Sequence, residues 1–345
     1  MAIEIYNSSF FNPFFIYITA FLITAIGLYY YRKIAINRNI LSNPNHRTLH
    51  ILPTPRGGGI VFASVFVFFA FILWLNSQVN NDIFLITCIG GMVALLFGFV
   101  DDIKNLSAIG KLFLQISLAC WAVYWLDGGP LYSINWIPNI LAIFLTMFFL
   151  VWVMNAYNFV DGIDGMATSG AILSSIAIAL AIVLTNGYIF SAELLFLLFS
   201  TMLSFLIFNW PPAKIFMGDS GSVFLGYFFG CMVLYTTMRG EVSAWSWVIV
   251  FGYYIADTTI TQITRLIMVR KWYFAHRSHA YQNFTRITNS HLRTNLLFII
   301  YYLIWLLPLL IWSLLEPDNA EFISIIALCP ALVFSYKFGP VLSAK

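Results

Sequence analysis

The chain has 345 residues, 61% hydrophobic and 9% charged, with a formal net charge of +3. Soluble domains run near 45–50% apolar and about 25% charged, so this composition excludes an ordinary water-soluble fold and gives no support to a disordered chain, a disulfide scaffold or a basic nucleic-acid binder. At roughly 20 residues per membrane span, it accommodates about eleven spans with short loops and no separate soluble domain.

In chain order, apolar runs fall at 13–31, 58–75, 83–100, 111–126, 139–155, 166–185, 190–208, 222–238, 245–267, 296–315 and 321–336. They are too long and too continuous for outer-membrane strands, which alternate over about ten residues. Helices satisfy their own backbone in lipid. The predicted fold is therefore an all-α polytopic membrane protein of eleven transmembrane helices, a single domain over 1–345. The first run has no basic segment before it and no small-residue cleavage site after it, so it is expected as a retained span. Cys88, Cys120, Cys231 and Cys329 each sit in an apolar run with no CxxC pairing, and inert buried thiols are expected.

Charge sets the orientation. With the N-terminus outside and the C-terminus cytoplasmic, the inner segments are 32–57, 101–110, 156–165, 209–221, 268–295 and the C-terminal tail. Those segments and the inner helix ends then hold 16 of the 17 basic residues, leaving only Arg239 outside. All five histidines fall on the same side, as do Asp101, Asp102, Asp161, Asp164 and Asp219. Clustering of this kind on one face points to a membrane enzyme. The rival is a secondary transporter or lipid flippase, which places its binding groups near mid-membrane, often in repeated halves; no repeat is seen here.

The inner segments carry the chemistry. Asp101 and Asp102 end the third span in GFVDDIK, where two adjacent carboxylates call for a cation or a donor. NAYNFVDGIDG brings Asn158, Asp161 and Asp164 together with glycines that let a backbone approach a ligand. NWPPAKIFMGDSGSVFLG runs from Asn209 into a Gly-Asp-Ser-Gly-Ser helix start suited to a phosphate, with Asp219 as a hard-cation ligand. Arg56, Lys111, His276, Arg277 and His279 are the expected donors to phosphate or sugar. Zinc at the HRSH segment is disfavoured, since no thiol or acid lies near it in sequence. Asp257, inside the ninth span, is expected to support the site structurally, paired with Arg265 or with an inner-loop donor.

Those three motifs, in this order, resemble the polyprenyl-phosphate N-acetylhexosamine-1-phosphate transferases, glycosyltransferase family 4, over about residues 43–290. The resemblance implies ten or eleven helices, Mg²⁺ with Mn²⁺ as an alternative, and transfer of a sugar phosphate from a UDP-sugar to polyprenyl phosphate with release of UMP. It places Asp101 and Asp102 near the acceptor phosphate; Asp102 is expected as base and organiser with Asp101 as its support, the reverse assignment and an Asp phospho-sugar intermediate being the alternatives. Asp161, Asp164, Asn158 and Asn209 match nucleotide-site positions, and Asp219 matches the metal-binding aspartate.

The last inner loop, AHRSHAYQ, differs from the three-histidine loop of the peptidoglycan branch and from the His-Ile-His-His of the enterobacterial GlcNAc-phosphate starters. It resembles the O-antigen-initiating branch acting on 6-deoxy donors such as N-acetylfucosamine or N-acetylquinovosamine, with GlcNAc as the alternative. Tyr281 would offer a C6 methyl its apolar face. The expected partners are polyprenyl (undecaprenyl) phosphate, a UDP-N-acetylhexosamine, membrane lipid and a second copy in a homodimer, with no nucleic acid. The expected location is the bacterial inner membrane.

Overall fold

A computed structural model of the chain describes residues 12–44, 52–134, 136–187, 189–268 and 278–340. Helix α1 (Pro13–Asn37) leads to a two-residue antiparallel pairing of β1 (Leu41–Ser42) with β2 (Thr54–Pro55), and then to α2 (Gly59–Leu75). Next come α3 (Asn81–Lys104), α4 (Ala108–Trp125), α5 (Asn139–Val160), α6 (Met166–Asn186), α7 (Phe190–Asn209) and α8 (Asp219–Met238). The chain continues through α9 (Ala244–Val250), α10 (Gly252–Met268), α11 (Ala280–Thr288), α12 (His291–Leu315) and α13 (Ala320–Phe338).

This is an all-α polytopic membrane protein. Among the described residues, nine helices are long and apolar enough to cross a membrane. Two of the eleven predicted spans differ from a continuous crossing. Helix α2 has 17 residues, about 25 Å at 1.5 Å per residue, somewhat short of the ~30 Å hydrocarbon core. The expected span 245–267 divides at Phe251, whose backbone (φ −94°, ψ 10°) leaves the helix between α9 and α10. The α10 side buries Asp257, Thr258, Thr261 and Arg265, so it faces protein. Two helices outrun their predicted ends, α3 to Lys104 and α5 to Val160, which puts Asp101, Asp102 and Asn158 on helical turns where loops were expected. The β1–β2 pairing had no counterpart in the periodicity reading, since two residues per strand carry no period.

Burial orders the helices. Helix α8 is innermost, with 83% of its apolar window inside the protein, against 22% for α1. Outer helices present large apolar side chains such as Phe14, Phe113, Phe148 and Leu184 where lipid would lie. Cys88 and Cys231 are buried, whereas Cys120 and Cys329 are exposed on that outer surface, contrary to the expectation for all four. They sit on faces of α4 and α13 left exposed among the described residues.

Glycine lets α8 be central. A Cβ on Gly59 would stand 2.1 Å from Gly221 N, and one on Gly98 would stand 2.3 Å from Asp219 O. Helices α2 and α3 therefore approach the first turn of α8 backbone to backbone. The α2 start is pinned further, because Gly58 N–H and Gly59 N–H donate to Phe216 O and Met217 O (2.9 and 2.8 Å). The C-terminal ends of α3 and α5, the β2–α2 turn and the N-terminus of α8 thus meet at one end of the bundle.

Candidate functional site

The α8 N-terminus is the frame of the site. Its N-cap residue is Gly218 (φ 75°, ψ 173°), which has no side-chain oxygen to offer the first free N–H groups. Asp102 supplies the cap from another helix. Its Oδ1 accepts from Asp219 N–H at 3.0 Å and its Oδ2 from Ser220 N–H at 3.1 Å, and the residue is 4% exposed. The expected base thus has both oxygens engaged by backbone. Gly218 is also the residue that fits, because a Cβ there would stand 2.5 Å from Asp102 Oδ2.

Asp101 lies one residue earlier on α3. Leu106 N–H donates to its Oδ1 at 2.7 Å, and Lys111 Nζ pairs with its Oδ2. The same Lys111 ammonium stands 2.8 Å from Asp219 Oδ2. Asp219 Oδ1 accepts from Asn158 Nδ2 at 3.0 Å, and that Nδ2 lies 2.9 Å from Ser222 Oγ. Asn158, expected to touch nucleotide, therefore orients Asp219. It can do so because α5 continues helically to Val160 and carries the amide toward the first turn of α8.

Asp161 ends α5 and Asp164 follows in the turn to α6. Burial, then the nearby charges of Asp219, Asp102 and Asp164, hold the Asp161 carboxyl well above the ordinary carboxylate range. Asp164 Oδ2 accepts from Ala213 N–H at 3.0 Å, and its Oδ1 lies 3.2 Å from His291 Nδ1. Asn209 is turned inward and 2% exposed. Its Oδ1 accepts from Gly165 N–H (3.1 Å) and Thr168 Oγ1 (2.6 Å), and its Nδ2 donates to Ile215 O (3.0 Å). It ties the 209–218 segment to the start of α6, which leaves little of it for a nucleotide.

A cavity of about 280 Å³ opens between these groups, lined by Arg56, Asp102, Asp161, Asp164, Asp219 and His291 among others. Arg56 follows β2, with its N–H on Ile40 O and its carbonyl on the Tyr31 hydroxyl. Among the described residues its buried Nε has no hydrogen-bond partner. A second cavity of about 710 Å³ shares Asp164, Phe216 and His291 with the first and adds Arg32, Lys214 and Arg286.

The last inner loop is placed differently from expectation. His276 and Arg277 lie outside the described residues. His279 is 1% exposed, with Nδ1 3.3 Å from Asp257 Oδ2 and its ring against Phe159 and Tyr281. Tyr281 is fully buried and donates to Phe159 O beneath the Gly162 turn, so both rings are packed within the protein. The physical reason is the start of α11: Asp257 Oδ1 accepts from Ala280 N–H at 2.8 Å and draws the segment inward. Asp257 thus uses an inner-loop donor. Arg265 is buried on the same helix.

Sequence reasoning missed His291 as a neighbour of the site and gave Ser222 and Gln282 no role of their own within their motifs. His291 opens an apolar helix and Ser222 sits inside a glycine motif, so neither stood out. Only proximity in space identifies them.

As a site for a divalent cation, the donor set fits in part. Asp101 Oδ2 and Asp219 Oδ2 converge on one cationic atom, Lys111 Nζ. Hard-cation coordination by one or two carboxylates plus substrate oxygens is the usual Mg²⁺ arrangement. No group of three or more His, Cys, Asp or Glu among the described residues forms a complete cage.

Residues 83–237 match the family described as Glycosyl transferase family 4. The chain is 29% identical over 283 residues to a probable undecaprenyl-phosphate N-acetylglucosaminyl 1-phosphate transferase of Bacillus subtilis, covering 79% of this chain and 76% of that protein. It is 31% identical over 260 residues to a phospho-N-acetylmuramoyl-pentapeptide-transferase of Streptococcus pneumoniae, covering 70% of this chain and 77% of that protein. A decaprenyl-phosphate N-acetylglucosaminephosphotransferase of Mycolicibacterium smegmatis is 30% identical over 250 residues, 66% of this chain and 60% of that protein.

Proposed function

This chain belongs to the polyprenyl-phosphate hexosamine-1-phosphate transferase family, and from that premise we propose that it transfers an N-acetylhexosamine 1-phosphate from a UDP-sugar to polyprenyl phosphate. The products are a polyprenyl-diphosphate sugar and UMP. The reaction takes place at the cytoplasmic face of a bacterial inner membrane, with the N-terminus outside. The observation that carries this reading is the meeting of Asp102, Asp161, Asp164 and Asp219, from three separate motifs, around a cavity bordered by Arg56, with Asp101 and Lys111 joined to it through the Lys111–Asp219 pair.

An acceptor phosphate oxygen attacks the donor β-phosphorus, and the bond from that phosphorus to the UMP oxygen breaks. The second pKa of a phosphate monoester is near 6, so the nucleophile arrives largely as a dianion and a strong protein base is dispensable. This agrees with an Asp102 whose oxygens are spent on the α8 cap. The work left to the protein is positioning and charge compensation. Arg56 lines the cavity, where its guanidinium can meet a phosphoryl oxygen, and Lys111 adds a second cation beside Asp219. Asp219 and Asp101 would hold Mg²⁺ together with substrate oxygens, and the ion would neutralise charge on the diphosphate. Asn158 keeps Asp219 aimed.

A transporter reading has less support, since these groups stand at one end of the bundle and not at its middle. The donor sugar is a UDP-N-acetylhexosamine. Tyr281 is buried and offers a C6 methyl no open face, so GlcNAc and 6-deoxy donors both fit this reading. Purified protein with polyprenyl phosphate, Mg²⁺ and a panel of UDP-GlcNAc, UDP-linked 6-deoxy-N-acetylhexosamines and UDP-MurNAc-pentapeptide tests the reading. Lipid-dependent release of UMP from one of the N-acetylhexosamine donors is expected. No UMP from any member of the panel would overturn the reaction, and turnover of the muramoyl donor alone would move the enzyme to peptidoglycan synthesis.

A further inference from the structure

Asp101 and Asp219 are held in the same way. Each has one oxygen fixed to the protein frame, Asp101 Oδ1 by Leu106 N–H and Asp219 Oδ1 by Asn158 Nδ2. In each, the other oxygen is turned to the Lys111 ammonium. The two carboxylates come from different helices, α3 and α8, lie against one another, and share the single charge of Lys111 in the first turn of α4. Lys111 is anchored by little else. Its side chain is 39% exposed, and no other side-chain hydrogen bond or ion pair to its ammonium is found among the described residues.

We propose that Lys111 is a resident counter-ion of the cation site, holding Asp101 and Asp219 together until a divalent cation enters between them and displaces its ammonium toward the donor phosphates. The inference rests on the metal-assisted transfer proposed above. A hard divalent cation seeks the two oxygens that Lys111 now engages, at about 2.0–2.1 Å for Mg²⁺. Ammonium and Mg²⁺ cannot share that gap, because like charges a few ångströms apart repel strongly in a partly buried setting. A compact ammonium on a flexible four-carbon stem can swing out without disturbing the helices. The exchange would give the site two states: a closed carboxylate pair when metal is absent, and a freed lysine beside the diphosphate when metal is present.

The experiment reads lysine accessibility and metal binding, not turnover. The full-length wild-type protein in detergent is treated briefly with an amine-acylating reagent at millimolar Mg²⁺ or Mn²⁺, or in Na⁺ of matched ionic strength. Labelling of Lys111 is quantified by peptide mass spectrometry against Lys104. In parallel, Mn²⁺ binding is followed by electron paramagnetic resonance for wild type and Lys111→Met. The expected result is a several-fold rise in Lys111 labelling with the divalent ion only, and about tenfold tighter Mn²⁺ binding by Lys111→Met, the scale for removing one nearby charge from a half-exposed site. Mn²⁺ binding with flat or falling Lys111 labelling would overturn the exchange while leaving the metal-assisted reading in place. No Mn²⁺ binding by the wild type, even with UDP-sugar present, would remove the metal reading and the exchange with it. The labelling arm uses the unmodified protein, so it stands even if Lys111→Met does not fold.

Discussion

Asp102→Asn is the most informative single change, because it separates a capping carboxylate from a catalytic one. The substitution keeps the shape, leaves one carbonyl oxygen to accept, and turns an NH₂ toward the second backbone N–H at the start of α8. Two hydrogen bonds to a charged acceptor contribute about 1.5–3 kcal/mol each in favourable cases. Against this, Asp102 is 4% exposed, and holding an ion there, close to Asp219, has its own desolvation cost, which the amide relieves. The net destabilisation is about 2 kcal/mol, with the loss concentrated in the first turn of α8, where Asp219 sits. The assay is a thermal unfolding midpoint in detergent by tryptophan fluorescence, alongside lipid-dependent UMP release as a function of Mg²⁺. A lowered midpoint, reduced turnover and a raised Mg²⁺ requirement are expected together, since a displaced Asp219 weakens the cation site. Abolished turnover at an unchanged midpoint and unchanged Mg²⁺ requirement would refute the capping argument and return Asp102 to a direct role on the acceptor.

Three further outcomes follow from the same geometry. Gly98→Ala places a methyl 2.3 Å from Asp219 O, so turnover should fall by about tenfold or more, as a sub-ångström shift of a positioning group allows; wild-type kinetics would show that α3 and α8 are not packed this closely. Asp219→Ala should lose about two to three orders of magnitude in turnover while its thermal midpoint stays near that of wild type, and ordinary activity at ordinary Mg²⁺ would remove it from the metal site. In a background without the four native cysteines, cysteines near Arg47, Asp161 and Arg286 should label only from the cytoplasmic side of intact cells and one near Asp318 from outside; outside labelling of any of the first three would break the one-face site.

The sequence by itself determined that the chain is helical and membrane-embedded, because in lipid the backbone must bond internally and long apolar runs leave one solution. It also showed which carboxylates belong together, since GFVDDIK, NAYNFVDGIDG and NWPPAKIFMGDSGSVFLG each carry acids where apolar helices end. Tertiary structure alone decided what each group faces. Asp101 and Asp102 are neighbours in sequence, yet a helix turns successive side chains about 100° apart, so one reaches Lys111 and the other the α8 terminus. Asn209 and Asn158 read as ligand amides until folding placed acceptors and donors around them. Tyr281 and His279 read as sugar contacts, but the pull of Asp257 on Ala280 N–H turned their segment inward. Local sequence fixes which atoms can donate or accept and how the helices begin and end; the partners that cap α8 and aim Asp219 lie 117 and 61 positions away in the chain, brought to 3.0 Å where α2 and α3 meet α8 at glycine contacts.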